Sequence, residues 1–129
     1  MRVFKTKLFG RFARKEGINN RVLAEAVREI EQGLHDGDLG GHIMKKRIAR
    51  AGAGKRGGYR TIIAYRKGTL AIFLYGFAKS AKNDLSPAEL REFQNLAQLY
   101  VRFGETDLKR ALQGGELQEI ENHDKEISQ

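Results

Sequence analysis

Hydrophobic and polar residues along this chain fall into two periodicities, and they divide it into three stretches. The first stretch is helical after a short opening strand at Val3–Lys5. Residues 8–14 read as a short helix carrying Phe9 and Phe12, and Asn20 reads as the cap of a longer one. Val22, Leu23, Ala26, Val27 and Ile30 follow the spacing of one helical face. Gly33 ends that helix as a left-handed terminator, and the GLHDGDLGG run after it reads as a loop.

The second stretch alternates like strands. His42–Ala49 has mostly cationic polar positions, and Tyr59–Arg66 is rich in Tyr, Thr and Ile. Leu70–Phe77 is apolar on both faces, with Leu70, Ile72 and Leu74 on one side and Phe73, Tyr75 and Phe77 on the other. A strand of that kind belongs in the middle of a sheet covered on both sides. Lys67-Gly68 predicts a tight hairpin, and the glycine-rich segment between the first two strands predicts a long one.

The third stretch opens with Ser86-Pro87-Ala88-Glu89, which combines an N-cap serine, a proline at the first helical position and a glutamate at the third. Leu90, Phe93, Ala97, Tyr100 and Val101 supply the buried stripe, and Gly104 is the stop. A last helix is expected from a Thr106 cap to Gln113, closed by Gly114-Gly115. Helices, an antiparallel meander and further helices make an α+β domain spanning 1–115. Residues 116–129 are acidic with little apolar content, so they read as a partly disordered tail.

The chain of 129 residues suits one domain, and no apolar run approaches the ~20 residues of a membrane-spanning helix. No signal peptide is read at the N-terminus. The absence of cysteine rules out disulfides and thiolate zinc sites and suits a reducing cytoplasm. Charge changes the picture most. The net charge is +8, yet between Asp38 and Asp84 there is no acid at all, and that interval holds 11 of the 24 basic residues. The remainder, with 13 bases and 16 acids, is net negative. Cations concentrated in one segment point to a polyanion, with nucleic acid ahead of an acidic protein. A solvated cationic sheet face is the bland alternative.

The segment includes RIARAGAGKRGGYRTIIAY, with four glycines between residues 52 and 58 interleaved with Lys55 and Arg56. A nucleotide-binding P-loop needs a Ser or Thr after its lysine and a helix to follow; here Arg56 and a strand follow. The loop instead lets backbone amides and two cations close on a phosphate positioned by something else. Arg60 and Arg66 alternate onto one face of the following strand, with Tyr59 and Tyr65 on the other. Arginine offers a bidentate fork to phosphate, whereas a lysine crowded by cations loses its proton more readily and becomes a candidate base. The histidines stand alone: His35 in a loop, His42 at a strand start, His123 in the tail. No HExxH motif or acidic pair accompanies the basic segment, so no metal or cofactor is expected.

KKRIARAGAGKRGGYRTIIAY, a hydrophobic strand and FAKSAKNDLSPAELREF together resemble the RelE-like toxins of bacterial type II toxin–antitoxin pairs, nearest the HigB-type branch. The likeness runs from about Met44 to Tyr100, and the ALQGGEL ending is also similar. It implies a compact α+β toxin that enters the ribosomal A site, cuts mRNA there without metal by 2′-OH attack, and is neutralised by a cognate antitoxin. Lys55 and Arg56 match the basic loop, Arg60 the arginine opening the next strand, and Lys79 the lysine after the hydrophobic strand. The expected catalytic set is therefore Lys55, Arg60 and Lys79. Lys46, Arg47, Arg50, Arg56, Arg66 and Lys82 are expected to bind RNA. A C-terminal tyrosine, or an acid and a histidine, used by some relatives has no clear equivalent: Tyr100 falls within a helix and Asp84 aligns loosely. A non-catalytic nucleic-acid-binding module and a gyrase-inhibiting toxin on the same fold are the alternatives.

Overall fold

The computed structural model describes residues 1–50 and 54–121, and of Arg50 and residues 54–57 the backbone alone. Its elements are β1 (Arg2–Thr6), α1 (Lys7–Glu16), α2 (Asn20–Glu31), β2 (Gly37–Gly40), β3 (Ile43–Arg50), β4 (Gly54–Arg66), β5 (Leu70–Ala78), α3 (Pro87–Tyr100), α4 (Glu105–Gln113) and β6 (Leu117–Ile120). One six-stranded sheet has the order β2-β3-β4-β5-β1-β6. All neighbours are antiparallel except β1 and β5, which run parallel, so the α+β expectation holds with one parallel pair added to the meander.

The strands separate two cores. On one face Phe9 and Ala13 of α1 and Leu23, Val27 and Ile30 of α2 pack against Ile48, Tyr59, Ile63, Tyr65 and Phe73. On the other, Ala97 and Tyr100 of α3 and Leu108 and Ala111 of α4 cover Phe4, Ile43, Ile62, Ala64, Ile72 and Leu74. Each fully buried large side chain stabilises by ~1.5–3 kcal/mol relative to exposure. β5 is buried along nearly its whole length, as its two-sided apolar pattern requires.

β5 does not keep a simple alternation. Ile63 pairs with Phe73 and Ile62 with Tyr75, so Leu74 is an extra residue in a β-bulge. Its carbonyl accepts the Thr6 hydroxyl at 3.4 Å. Beyond the bulge the faces exchange: Tyr75 joins Leu74 on the α3 side, stacked on Phe93 at 5.1 Å, rather than sharing a face with Phe73. Gly76 then faces α1. A Cβ there would collide with the Phe12 ring (2.7 Å from Cδ2) and crowd Phe9 Cε1 at 3.1 Å.

Several boundaries move for local reasons. Asn19, not Asn20, caps α2, its Oδ1 accepting the Val22 amide at 3.0 Å; the Asn20 side chain takes the Lys5 ammonium instead. His42 lies in the turn before β3 with φ 67°. Gly104 rather than Thr106 precedes α4, where the Asp107 carboxylate accepts the Gly104 amide at 3.0 Å. Part of the expected loop pairs with β3 as β2, and β4 begins within the glycine-rich segment. The expected end of the domain at 115 falls short of β6, which pairs with β1 and buries Leu117 and Ile120. The Ser86–Glu89 capping box is present as read.

Arg66, expected to bind RNA, is used by the fold. Its Nη1 donates to the carbonyls of Val101 (2.6 Å) and Phe103 (3.2 Å), and its Nε to Thr69 Oγ1 (2.6 Å). It satisfies carbonyls left open at the end of α3. Arg66→Ala is therefore expected to lower stability by about 1.5–3 kcal/mol, the scale of lost charged hydrogen bonds. Gly76→Ala should cost about 1–3 kcal/mol through overpacking against Phe12. Urea unfolding measures both, and unchanged midpoints would refute these roles.

Candidate RNA-binding cleft

The register of β3 against β4 sets the centre of the site. Arg47 lies directly opposite Arg60, two like charges on neighbouring strands, an arrangement that destabilises a sheet. Alternation along β4 places Arg60 on the side of Ile62, where Phe77 is its partner on β5. Lys79 leaves the end of β5 one residue past the ladder, its amide bonded to the Gly58 carbonyl at 3.2 Å. Arg47, Arg60, Lys79, Gly58 and Tyr59 border one cleft of about 380 Å³, with Glu29 and Asp36 at its rim.

The two rim acids are already engaged. Glu29 pairs with Lys46 at 3.1 Å. Asp36 accepts the Arg47 amide at 2.6 Å, and its carboxylate stands 4.0 Å from the Arg47 Nε. Arg47 nevertheless remains 60% exposed. Among the described residues neither Arg60 nor Lys79 has an acidic partner. Two guanidinium forks and an ammonium therefore meet in a concavity where Asp36 offsets Arg47 alone and no described acid pairs with Arg60 or Lys79, which suits a phosphate.

The other expected site residues separate by location. The Lys46 side chain lies between Met44 and Ile48 on the α2 side, is buried, and donates to the Leu34 carbonyl at 2.8 Å as well as pairing with Glu29. It is a structural cation and not part of an exposed phosphate surface. Arg66 sits six residues along β4 from Arg60, ~20 Å away at strand rise. Lys82 pairs with Glu89 and lies over the Tyr75 ring at 5.9 Å. That hydrogen bond raises the Lys82 pKa, and with the Ser86 amide it holds the Glu89 carboxyl below its usual range. Lys82 thus fastens the segment after β5 onto α3. Lys45, which the sequence reading left unassigned, pairs with Asp84 at 3.5 Å and fastens the same segment to β3. The side chains of Arg50, Lys55 and Arg56 lie outside the described residues, as does His123.

Other candidates for proton transfer are turned elsewhere. The Tyr59 hydroxyl donates to Glu16 at 2.9 Å, and its ring packs edge-on against Phe12. The Tyr100 hydroxyl donates to Glu116 at 2.9 Å; burial, then this bond, push its pKa upward. His42 is exposed at the opposite end of β3, where its carbonyl accepts the Tyr65 amide. Among the described residues no three His, Cys, Asp or Glu side chains gather as a metal-holding group, and no helix is long and apolar enough to cross a membrane.

Residues 1–120 match the family model described as the RelE toxin of the RelE / RelB toxin-antitoxin system. A comparison with the curated proteins finds no match. The match takes in the six strands and four helices of the described residues, including the β6 edge that pairs with β1. The cationic cleft at the end of β3 and β4 thus belongs to a toxin of a toxin–antitoxin pair, with a cognate antitoxin as its implied partner, and the chain is a member of the RelE family.

Proposed function

We propose that this toxin is a ribosome-dependent mRNA endonuclease of the cytoplasm, cutting the strand presented in the ribosomal A site. The observation that carries the reading is the pairing of Arg47 with Arg60 beside Lys79, with no free acid among the described residues to neutralise them. Opposed like charges cost the sheet stability, and an anion recovers that cost when it binds.

The chemistry is transesterification. The ribose 2′-oxygen attacks the adjacent phosphorus, the 2′-O–P bond forms as the P–5′-O bond breaks, and a 2′,3′-cyclic phosphate and a 5′-hydroxyl result. The 2′-OH gives up its proton and the leaving 5′-oxygen gains one. Arg60 and Lys79 stabilise the extra negative charge of the phosphorane, and Arg47 holds a neighbouring phosphate oxygen. Lys55 is assigned the 2′-OH proton and Arg56 the RNA backbone, since both belong to the start of β4, between Gly54, which pairs with Arg50, and Gly58, which borders the cleft.

The described part of the cleft offers no imidazole and no unengaged carboxylate. A positioned acid or base contributes ~10²–10⁴-fold, and a cleft short of such groups depends on orientation supplied from outside. Orientation is worth ~7–11 kcal/mol when a reactant is held in attack geometry. A ribosome that fixes the mRNA strand supplies it, and this favours ribosome dependence over a self-sufficient nuclease.

Primer extension on a reporter mRNA, with and without translating ribosomes, tests the reading. Breaks are expected only with ribosomes; breaks in naked RNA would overturn the dependence, and none in either sample from toxic protein would overturn the activity. Arg60→Ala and Lys79→Ala should each reduce cleavage ~10²–10³-fold, the scale of losing one charge-stabilising donor. Arg60→Ala should also leave the melting temperature unchanged or raised, because it removes the repulsion with Arg47. A fall in melting temperature would make Arg60 a structural residue like Arg66.

A further inference from the structure

The cations outside the central segment are not evenly spread. Residues 1–21 hold seven basic residues and a single acid, Glu16, which accepts the Tyr59 hydroxyl. Lys7, Arg11 and Lys15 follow one another at i, i+4 along the exposed side of α1, with Arg14 beside them and Arg21 exposed at the start of α2. None of these five has an acidic partner among the described residues.

The start of the helix gains nothing from this arrangement, although Arg14 and Lys15 sit in the last turn, where cations suit the dipole. Like charges at i, i+4 destabilise a helix. Lys7 occupies the first helical position, against the positive end of the helix dipole, and the first turn contains no acid. Arg14 folds back over Gly10 toward Lys5. Burial, and then this guanidinium, lower the Lys5 pKa, so the crowding is felt inside the helix–sheet seam.

The same face is a poor match for an apolar partner. Phe9 and Ala13 are in the core with Phe12 packed against it, and Leu8 is the one large apolar side chain of α1 left exposed. A line of cations rising ~6 Å per i, i+4 step suits a repeating anion better than a lipid interior or a hydrophobic groove. It is also joined to the cleft. Lys15 borders a groove of about 230 Å³ that shares Ile48, Ala49 and Tyr59 with the cleft itself.

We propose that the exposed face of α1, through Lys7, Arg11, Arg14 and Lys15, is a second RNA-binding surface that takes the phosphate backbone of RNA running past the cleft. The proposal rests on the reading of the cleft as an RNA site and extends it. The cleft takes the strand to be cut, and α1 takes backbone beyond it, from the flank of the same strand or from folded RNA alongside.

The test combines Lys7→Gln, Arg11→Gln and Lys15→Gln in the full chain, all at exposed positions. Binding to a labelled single-stranded RNA and to a labelled RNA duplex is followed across salt concentrations. Each lost phosphate contact flattens the slope of log affinity against log salt by ~0.7–0.9, so the triple variant should be flatter by about 2–3. It should melt at the same temperature as the wild type or higher, which separates lost binding from lost structure. A flatter slope on the single strand assigns the flanking strand, and on the duplex it assigns folded RNA. An unchanged slope on both probes overturns the proposal. Failure of the wild-type protein to bind either RNA overturns it as well, and an acidic protein surface becomes the occupant. Ribosome-dependent breaks in mRNA would still sustain the cleft reading in both cases, so the two failures remain distinct.

Discussion

The extra residue in β5 governs how this sheet meets its two helical layers. Without the bulge at Leu74, simple alternation would carry Tyr75 and Phe77 onto the α1 side with Phe73, and Gly76 onto the α3 side. With it, Tyr75 stacks on Phe93 and Phe77 stands opposite Arg60. Gly76 lets the Phe12 ring of α1 come down on the sheet. The Thr6 hydroxyl, which also caps α1 by accepting the Phe9 amide, reaches the Leu74 carbonyl. One residue thus ties the start of α1 to the irregular point of the central strand. The cost of the disrupted ladder is offset by aromatic packing on both faces.

Cations in this molecule divide by what faces them. Lys46 and Arg66 are surrounded by carbonyls or a carboxylate, and their charge is consumed inside the fold. Lys45 and Lys82 clamp the segment between β5 and α3 to the strand and helix on either side of it. That segment carries Lys79, so the clamps position an ammonium they do not touch. Arg47 and Arg60 are opposed across a ladder with one acid, Asp36, near the first and, among the described residues, none paired with the second. The same residue types therefore serve as mortar in one place and as an unbalanced field in another. The difference lies in their partners.

That division sets what could be read from the chain. Caps and stops were legible because they are local: Ser86 with Glu89, and Gly33 and Gly68 with positive φ. Arg60 and Lys79 could be singled out because they bracket an acid-free hairpin and match a family motif, and the structure brings both to one cleft. The role of Lys46 was within reach of strand alternation, which sets it between Met44 and Ile48, but its partner Glu29 is on α2 and far away in sequence. Arg66 was not legible, since its carbonyl partners belong to the end of a helix 35 residues on. β6 was hidden by Glu119 within it and Glu116 and Glu121 beside it: Leu117 and Ile120 alone carry the apolar signal, and only the free edge of β1 makes a strand of them. The bulge in β5 was invisible because both of its faces are apolar, so the pattern reads equally well with or without a shift of face.

A cleft with strong cations and few proton-transfer groups has a physical consequence for the toxin as a whole. Charge stabilisation acts on any phosphate that enters, whereas bond making needs one phosphate held with its 2′-oxygen in line. On the proposed RNA-cleaving reading, a surface of this kind would bind RNA broadly and react only where another body fixes the strand. Breadth of binding with narrowness of reaction would suit a toxin kept beside an antitoxin, because on that reading encounters with free RNA would leave the RNA uncut. An added catalytic imidazole would raise the rate on free RNA together with the rate on presented RNA and erase that distinction. Under that proposal the sparseness of the described cleft would be a source of selectivity.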